Sequence, residues 1–223
     1  MKSLKVYWWQ RLLSYLTEVP LQKQAGEYNP SLQVSLVRNR FQLSTENAIY
    51  SFDDLYLNFG RAFERVELPP DGSRMLLLGL GLGSVPFMLE RQFHRRYEMT
   101  AIEFDESVIG LAAAFTFPRL AQKVEVIHAD AEIYVQTLED NFDFIVVDLF
   151  LDDVIPPFFE SVEGMEALKR ILAPGGMLML NRLYRSGRDK KRTDKFYQQV
   201  FTQVFANSTY LDVDGNWILL SRG

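Results

Sequence analysis

Glycines alternate in Gly79-Leu80-Gly81-Leu82-Gly83, and the carboxylate of Glu103 follows at a suggestive distance. Glycine permits so tight a turn and lets backbone N–H groups approach a bound molecule closely. A carboxylate about 20 positions beyond such a loop can accept hydrogen bonds from both hydroxyls of a ribose. The joint spacing therefore points to a ribose-containing ligand, with S-adenosylmethionine and a dinucleotide both open. Ser84 stands where the dinucleotide pattern has its third glycine, which argues against NAD. Asp130 is a second candidate, able to accept from an adenine amino group. It is equally suited to cap the helix that would begin at Ala131, and the two roles are compatible.

These residues need a scaffold that brings them together, and the hydrophobic pattern supplies one. Met75-Leu76-Leu77-Leu78, Met99-Thr100-Ala101-Ile102, Val124-Glu125-Val126-Ile127, Phe144-Ile145-Val146-Val147 and Met177-Leu178-Met179-Leu180 are short apolar runs separated by helix-like segments. Such alternation predicts a mostly parallel sheet covered by helices on both faces. Its ligands bind outside the carboxyl ends of the strands, where the glycine loop, Glu103, Asp130 and Asp148 all fall. A helix starting near Ser84 would aim its N-terminal dipole at the same place. The tail adds a helix near 193–203 and two strands near 207–213 and 216–221, joined by a turn at Asp214-Gly215-Asn216. Upstream, the pattern predicts an amphipathic helix over 3–18, a linker over 18–30, two or three short strands over 32–50 and a helix over 53–65. The expected organisation is an N-terminal helix and linker (1–30), a small strand-rich subdomain (31–68) and a Rossmann-like nucleotide-binding domain (69–223).

Composition narrows the classes. The chain has 223 residues, 48% hydrophobic, enough for a substantial core. A net charge of −5 gives no general attraction to nucleic acid or anionic lipid. No apolar run approaches the roughly 20 residues of a membrane span, so a soluble protein without membrane or nucleic-acid partners is expected. Cysteine is absent, which excludes disulfides and thiolate metal sites and fits a cytoplasmic location. With only His94 and His128, no transition-metal site is expected.

The glycine loop, Glu103, Asp130-Ala131, the strand ending at Asp148 and the turn Leu172-Ala173-Pro174-Gly175-Gly176 together resemble proteins of the S-adenosylmethionine methyltransferase fold. The strand-rich segment at 32–50 and the stretch Asp148-Leu149-Phe150-Leu151-Asp152-Asp153-Val154-Ile155-Pro156-Pro157 resemble, more narrowly, the spermidine synthase-like (polyamine aminopropyltransferase) branch. The resemblance covers about residues 31–222. It implies a seven-stranded sheet and a cofactor, S-adenosylmethionine or its decarboxylated form, bound by Gly79, Leu80, Gly81, Gly83, Glu103, Asp130 and Ala131. It places Asp148 as the catalytic carboxylate acting on an amine acceptor, with Asp152, Asp153 and Tyr50 toward the substrate. An amine with a pKa of about 10 must lose a proton to attack, and a desolvated carboxylate can take it. The chain departs from the branch at Leu82, where aminopropyltransferases carry an Asp that anchors the charged end of the donor. It also reads Ile49-Tyr50-Ser51-Phe52-Asp53-Asp54 where they carry a Tyr-Gln-Glu-type motif.

Two expectations follow. The first is transfer of an aminopropyl or methyl group to a small-molecule amine. The second, prompted by the departures, is a non-catalytic relative that serves as a nucleotide-binding or protein-interaction module. Tyr7, Trp8, Trp9 and Leu13 give the first helix an aromatic surface broad enough to predict a homodimer, and the resembled family commonly pairs through its N-terminal region. His128 reads as a hydrogen-bonded strand-end histidine. The basic run Arg182, Arg185, Arg188, Lys190, Lys191, Arg192 and Lys195 reads as a solvated loop, the alternative being a surface for an anionic substrate or lipid.

Overall fold

The computed structural model describes residues 6–46, 48–150 and 154–223. The described chain opens with helix α1 (Trp8–Leu13), much shorter than the sequence pattern predicts. Ser14 ends it. Its hydroxyl donates to the Arg11 carbonyl at 2.7 Å and accepts the Asn39 N–H at 2.9 Å, and its own carbonyl accepts from Arg38 N–H. Ser14 is thereby buried against a turn of the following sheet, and the chain turns away instead of continuing as helix.

That sheet is antiparallel, in the order β1 (Val19–Gln24), β2 (Leu32–Val37), β3 (Arg40–Ser44), β4 (Ile49–Phe52). The linker predicted over 18–30 is therefore corrected: its first half is a strand, paired from Val19↔Leu36 to Gln24↔Leu32. Pro20 survives there because β1 is an edge strand and its register shifts between Pro20 and Gln22. A short turn at Asp53–Leu55 leads into α2 (Leu57–Phe63).

The main unit then alternates β5 (Arg74–Leu78), α3 (Ser84–Arg91), β6 (Glu98–Glu103), α4 (Glu106–Phe115), β7 (Val124–His128), α5 (Ala131–Thr137), β8 (Phe142–Val147), α6 (Val162–Arg170), β9 (Leu172–Leu183), α7 (Gly187–Phe196), α8 (Thr202–Val204), β10 (Ser208–Asp212) and β11 (Asn216–Arg222). Among the described residues its sheet has seven strands in the order β10-β11-β9-β8-β5-β6-β7. β5 to β9 run parallel, and β11 pairs antiparallel with β9 and β10. The continuous apolar runs have a direct cause. Leu76, Leu78, Ile145 and Val147 pack on one face with α5 and α6. Met75, Leu77, Phe144 and Val146 pack on the other with α2 and α3. Both faces of each strand are buried, so no polar alternation survives.

Two further expectations change. The Leu172–Gly176 segment is not a turn ahead of the strand but the kinked start of β9, bent at Gly175 (φ 76°) and tied to Gly223 by two backbone hydrogen bonds. The basic run is largely solvated as expected but mostly helical rather than a loop, and Arg182 departs from it altogether. Ser186 and Asp189 form a capping box that starts α7 early, and Arg182 is buried in β9, paired with Glu160 at 2.6 Å over the ring of Phe196. A buried cation is tolerable because it is paired and hydrogen-bonded.

The small sheet is fastened to the large one beside the glycine loop. Ser84 Oγ lies 2.6 Å from Ser51 Oγ and accepts the Phe52 N–H at 2.9 Å. Buried Asp53 accepts both arms of Arg119, at 2.9 and 2.8 Å. Among the described residues no helix is long and apolar enough to cross a membrane.

Candidate active site

The parallel strands end together, and a cavity of about 820 Å³ lies across their carboxyl ends, within the usual size of a small-molecule site. Gly79, at the end of β5, has φ 89°, and a Cβ there would come within 2.3 Å of the Asp148 carbonyl. The loop can pass over β8 only with glycine at this position. Gly81 and Gly83 also have positive φ, and Gly83 starts α3.

Glu103, at the end of β6, holds the loop in place. One carboxylate oxygen accepts the N–H groups of Leu80 and Gly81, both at 3.1 Å. The other accepts those of Phe104 at 2.9 Å and Asp105 at 3.2 Å. Burial raises its pKa, and these four donors oppose the rise. Asp130 caps α5, accepting from Glu132 and Ile133 N–H through Oδ1. Ala131 and Leu80 line the cavity beside them.

Asp148 follows β8 directly. Its N–H donates to the Leu78 carbonyl at 2.8 Å, and its half-buried side chain reaches the cavity wall. Asn181, on the neighbouring β9, donates to Asp148 Oδ1 at 2.9 Å, and the Tyr56 hydroxyl donates to the same oxygen at 3.3 Å. Asn181 is in turn fixed by Asn216 Nδ2 of β11 at 2.8 Å. Desolvation pushes the Asp148 pKa up to about 6, against the pull of both hydrogen bonds. Burial, with Asp148 nearby, raises Tyr56 well above its ordinary value. The arrangement is a carboxylate poised to hold or release a proton near neutrality.

The cavity thus brings together Gly79, Leu80, Gly81, Glu103, Asp130, Ala131, Asp148 and Tyr50, whose hydroxyl accepts from Asn29 at 3.0 Å. Gly83 shapes the loop from behind. Asp152 and Asp153 lie outside the described residues. Leu82 points away from the cavity into an apolar cluster with Val34, Leu36, Leu43 and Val108, so its hydrophobicity serves to glue the loop to the small sheet. His128 Nε2 donates to the Phe104 carbonyl, 2.9 Å away, in keeping with its expected strand-end role. Residues that sequence reasoning did not assign are Tyr56, Asn181, Asn216, and Tyr28, whose ring stacks on Phe104 at 4.0 Å beside Glu103. Asn181 and Asn216 could have been found from their positions at strand ends. Tyr28 and Tyr56 arrive from other segments and carry no local signal.

Comparison with known proteins agrees with this layout. Residues 76–180 match the methyltransferase domain family model. A probable spermidine synthase from Corynebacterium glutamicum superposes with TM-score 0.71 over 90% of this chain and 79% of its own, at 20% identity. The chain has a spermidine synthase-like methyltransferase fold. The spermidine synthase-like character also shows in sequence. A polyamine aminopropyltransferase of Vibrio vulnificus is 27% identical over 155 residues, 68% of this chain and 51% of the relative. The chain therefore spans about half the length of that relative. Human methyltransferase-like protein 13, solved in complex with SAH, is 25% identical with TM-score 0.57, covering 67% of this chain and 71% of its own.

Proposed function

We propose that this spermidine synthase-like chain is a transferase that binds S-adenosylmethionine or its decarboxylated form and moves a methyl or aminopropyl group to a small amine. The observation that carries the reading is Asp148, a carboxylate held by Asn181 and Tyr56 at the cavity wall with a pKa of about 6.

The residues present fit the nucleoside. Glu103 and the glycine loop it holds line the cavity together, and at Gly79 a Cβ would run into the Asp148 carbonyl, so only glycine lets the loop lie this close to the strand ends. Asp130 has Oδ2 left over from its capping bonds, suited to an adenine amino group, and Ala131, Pro156 and Phe159 offer apolar walls. The bound donor supplies a carbon on a sulfonium, which leaves as a neutral thioether when the amine nitrogen takes that carbon. The protein's own part is to orient the amine and receive its proton at Asp148 Oδ2, while Asn181 and Tyr56 hold Oδ1. Leu82 weighs against aminopropyl transfer, because the loop offers no carboxylate to a charged donor tail. The chain is further read as a cytoplasmic, cysteine-free homodimer whose strand-rich segment at 31–68 abuts the nucleotide-binding unit at 69–223.

The test is a panel of S-adenosylmethionine and its decarboxylated form, each with several amines including putrescine. Turnover of either donor supports the reading. No turnover with any pair, together with no nucleotide binding by calorimetry, contradicts it.

A further inference from the structure

The cavity is electrically lopsided. Glu103, Asp105, Asp130 and Glu132 gather at the end over β6 and β7. Beyond Asp148, over β9 and β11, the wall consists of Tyr56, Asn58, Asn181, Leu183, Arg185 and Asn216. Adjacent strands are about 4.8 Å apart, so a nucleoside seated over β6 and β7 leaves the β9–β11 end to the acceptor. Among the described residues lining that end, the charge is the guanidinium of Arg185.

Arg185 is exposed at the cavity wall, and its stem lies over Gly215, whose added Cβ would stand 3.2 Å from Arg185 Cγ; the Tyr184 N–H donates to the Gly215 carbonyl at 2.9 Å. Among the described residues no carboxylate forms an ion pair with it, although Asp189 lies near enough to feel its charge, whereas Arg182 and Arg192 of the same basic run both hold Glu160. Its charge also opposes the rise in the Tyr56 pKa. A guanidinium at the cavity wall with no ion-pair partner among the described residues suits a ligand that brings an anion.

Resting on the transferase reading above, we infer that the acceptor is an amine that also carries a carboxylate, of the amino-acid type, with Arg185 holding the carboxylate. A plain polyamine would bring a second ammonium toward Arg185 and leave the guanidinium unpaired, which disfavours it twice.

Ornithine and putrescine differ only by a carboxylate, so they isolate the effect. Each is titrated calorimetrically into the protein saturated with S-adenosylhomocysteine. Ornithine should bind about 10- to 100-fold more tightly, as one charge-assisted pair provides. Arg185→Gln should abolish the difference and Arg185→Glu should reverse it, with S-adenosylhomocysteine affinity the same in all three proteins. Equal or tighter putrescine binding, a difference that survives Arg185→Gln, or binding of neither compound overturns the inference. If S-adenosylhomocysteine fails to bind, methylthioadenosine takes its place; failure of both counts against the transferase reading instead, and the same two titrations into the nucleotide-free protein still decide the role of Arg185.

Discussion

Asn181 Nδ2 and the carboxylate of Asp148 meet at 2.9 Å, and the bond lands on Oδ1, the same oxygen that the Tyr56 hydroxyl reaches at 3.3 Å. Both donors favour the ionised form, yet desolvation outweighs them and leaves the pKa at about 6. Oδ2 receives no hydrogen bond from the described residues and is the oxygen left for chemistry.

The acid limb of kcat/KM should therefore fall near pH 6. Asn181→Ala removes a donor that stabilises the carboxylate, so the limb should move to higher pH, by about one unit if the bond is worth about 1.4 kcal/mol. A pH–rate profile of the two proteins checks this. An unmoved limb would assign it to another group.

The same shift has a stability consequence. The folded-state pKa of Asp148 lies above its ordinary 3.8, so the folded protein holds this proton more tightly than the unfolded chain. Ionised Asp148 costs stability fully above pH 6, and the cost disappears as pH falls toward 4. Asp148→Asn should stabilise the protein by about 1–3 kcal/mol at pH 8 and by nearly nothing at pH 4, measured by urea denaturation.

Glu103 has a double task, because its two oxygens accept four backbone N–H groups before any ribose arrives. Glu103→Gln turns one oxygen into a donor facing two donors. Both fold stability and nucleotide affinity should drop, each by about 1.5–3 kcal/mol. Calorimetry and thermal denaturation of the variant measure the two losses separately.

Leu82→Asp would restore the residue that aminopropyltransferases carry, but not its role. Leu82 is 1% exposed among Leu36, Leu43 and Leu111, so the new carboxylate would be buried in an apolar cluster. A loss of about 3 kcal/mol or more in chemical denaturation is expected, with no gain in turnover of decarboxylated S-adenosylmethionine.

The parallel sheet and the cavity at its carboxyl ends were legible because each strand announces itself as an apolar run and the cavity follows from strand ends. Glu103, Asp130 and Asp148 all lie where that rule puts them. What escaped depends on pairing across long separations. Val19–Gln24 reads as a linker because Pro20 and polar residues mask an edge strand, and α1 stops at Ser14 through contacts with Arg38 and Asn39 that no local pattern contains. Arg182 looks like its basic neighbours in sequence, and only Glu160 and Phe196 make it a core residue.

α1 leaves Trp8 74% and Leu12 61% exposed, an apolar surface that a second copy would cover. Light scattering should give a dimer, and Trp8→Ser with Leu12→Ser should shift it toward monomer without altering S-adenosylhomocysteine affinity. A monomer at high concentration in the unaltered protein would remove the homodimer.

Asp148→Asn keeps the shape of the side chain and an oxygen for Asn181 and Tyr56, but it removes the base. Its nucleotide affinity and turnover, measured side by side with the unaltered protein on whichever amine is accepted, test the proposed site most directly. S-adenosylhomocysteine affinity should stay within about threefold while turnover falls roughly 100- to 10,000-fold. An Asp148→Asn protein that binds normally and turns over at the unaltered rate would contradict the assignment of Asp148 as the base.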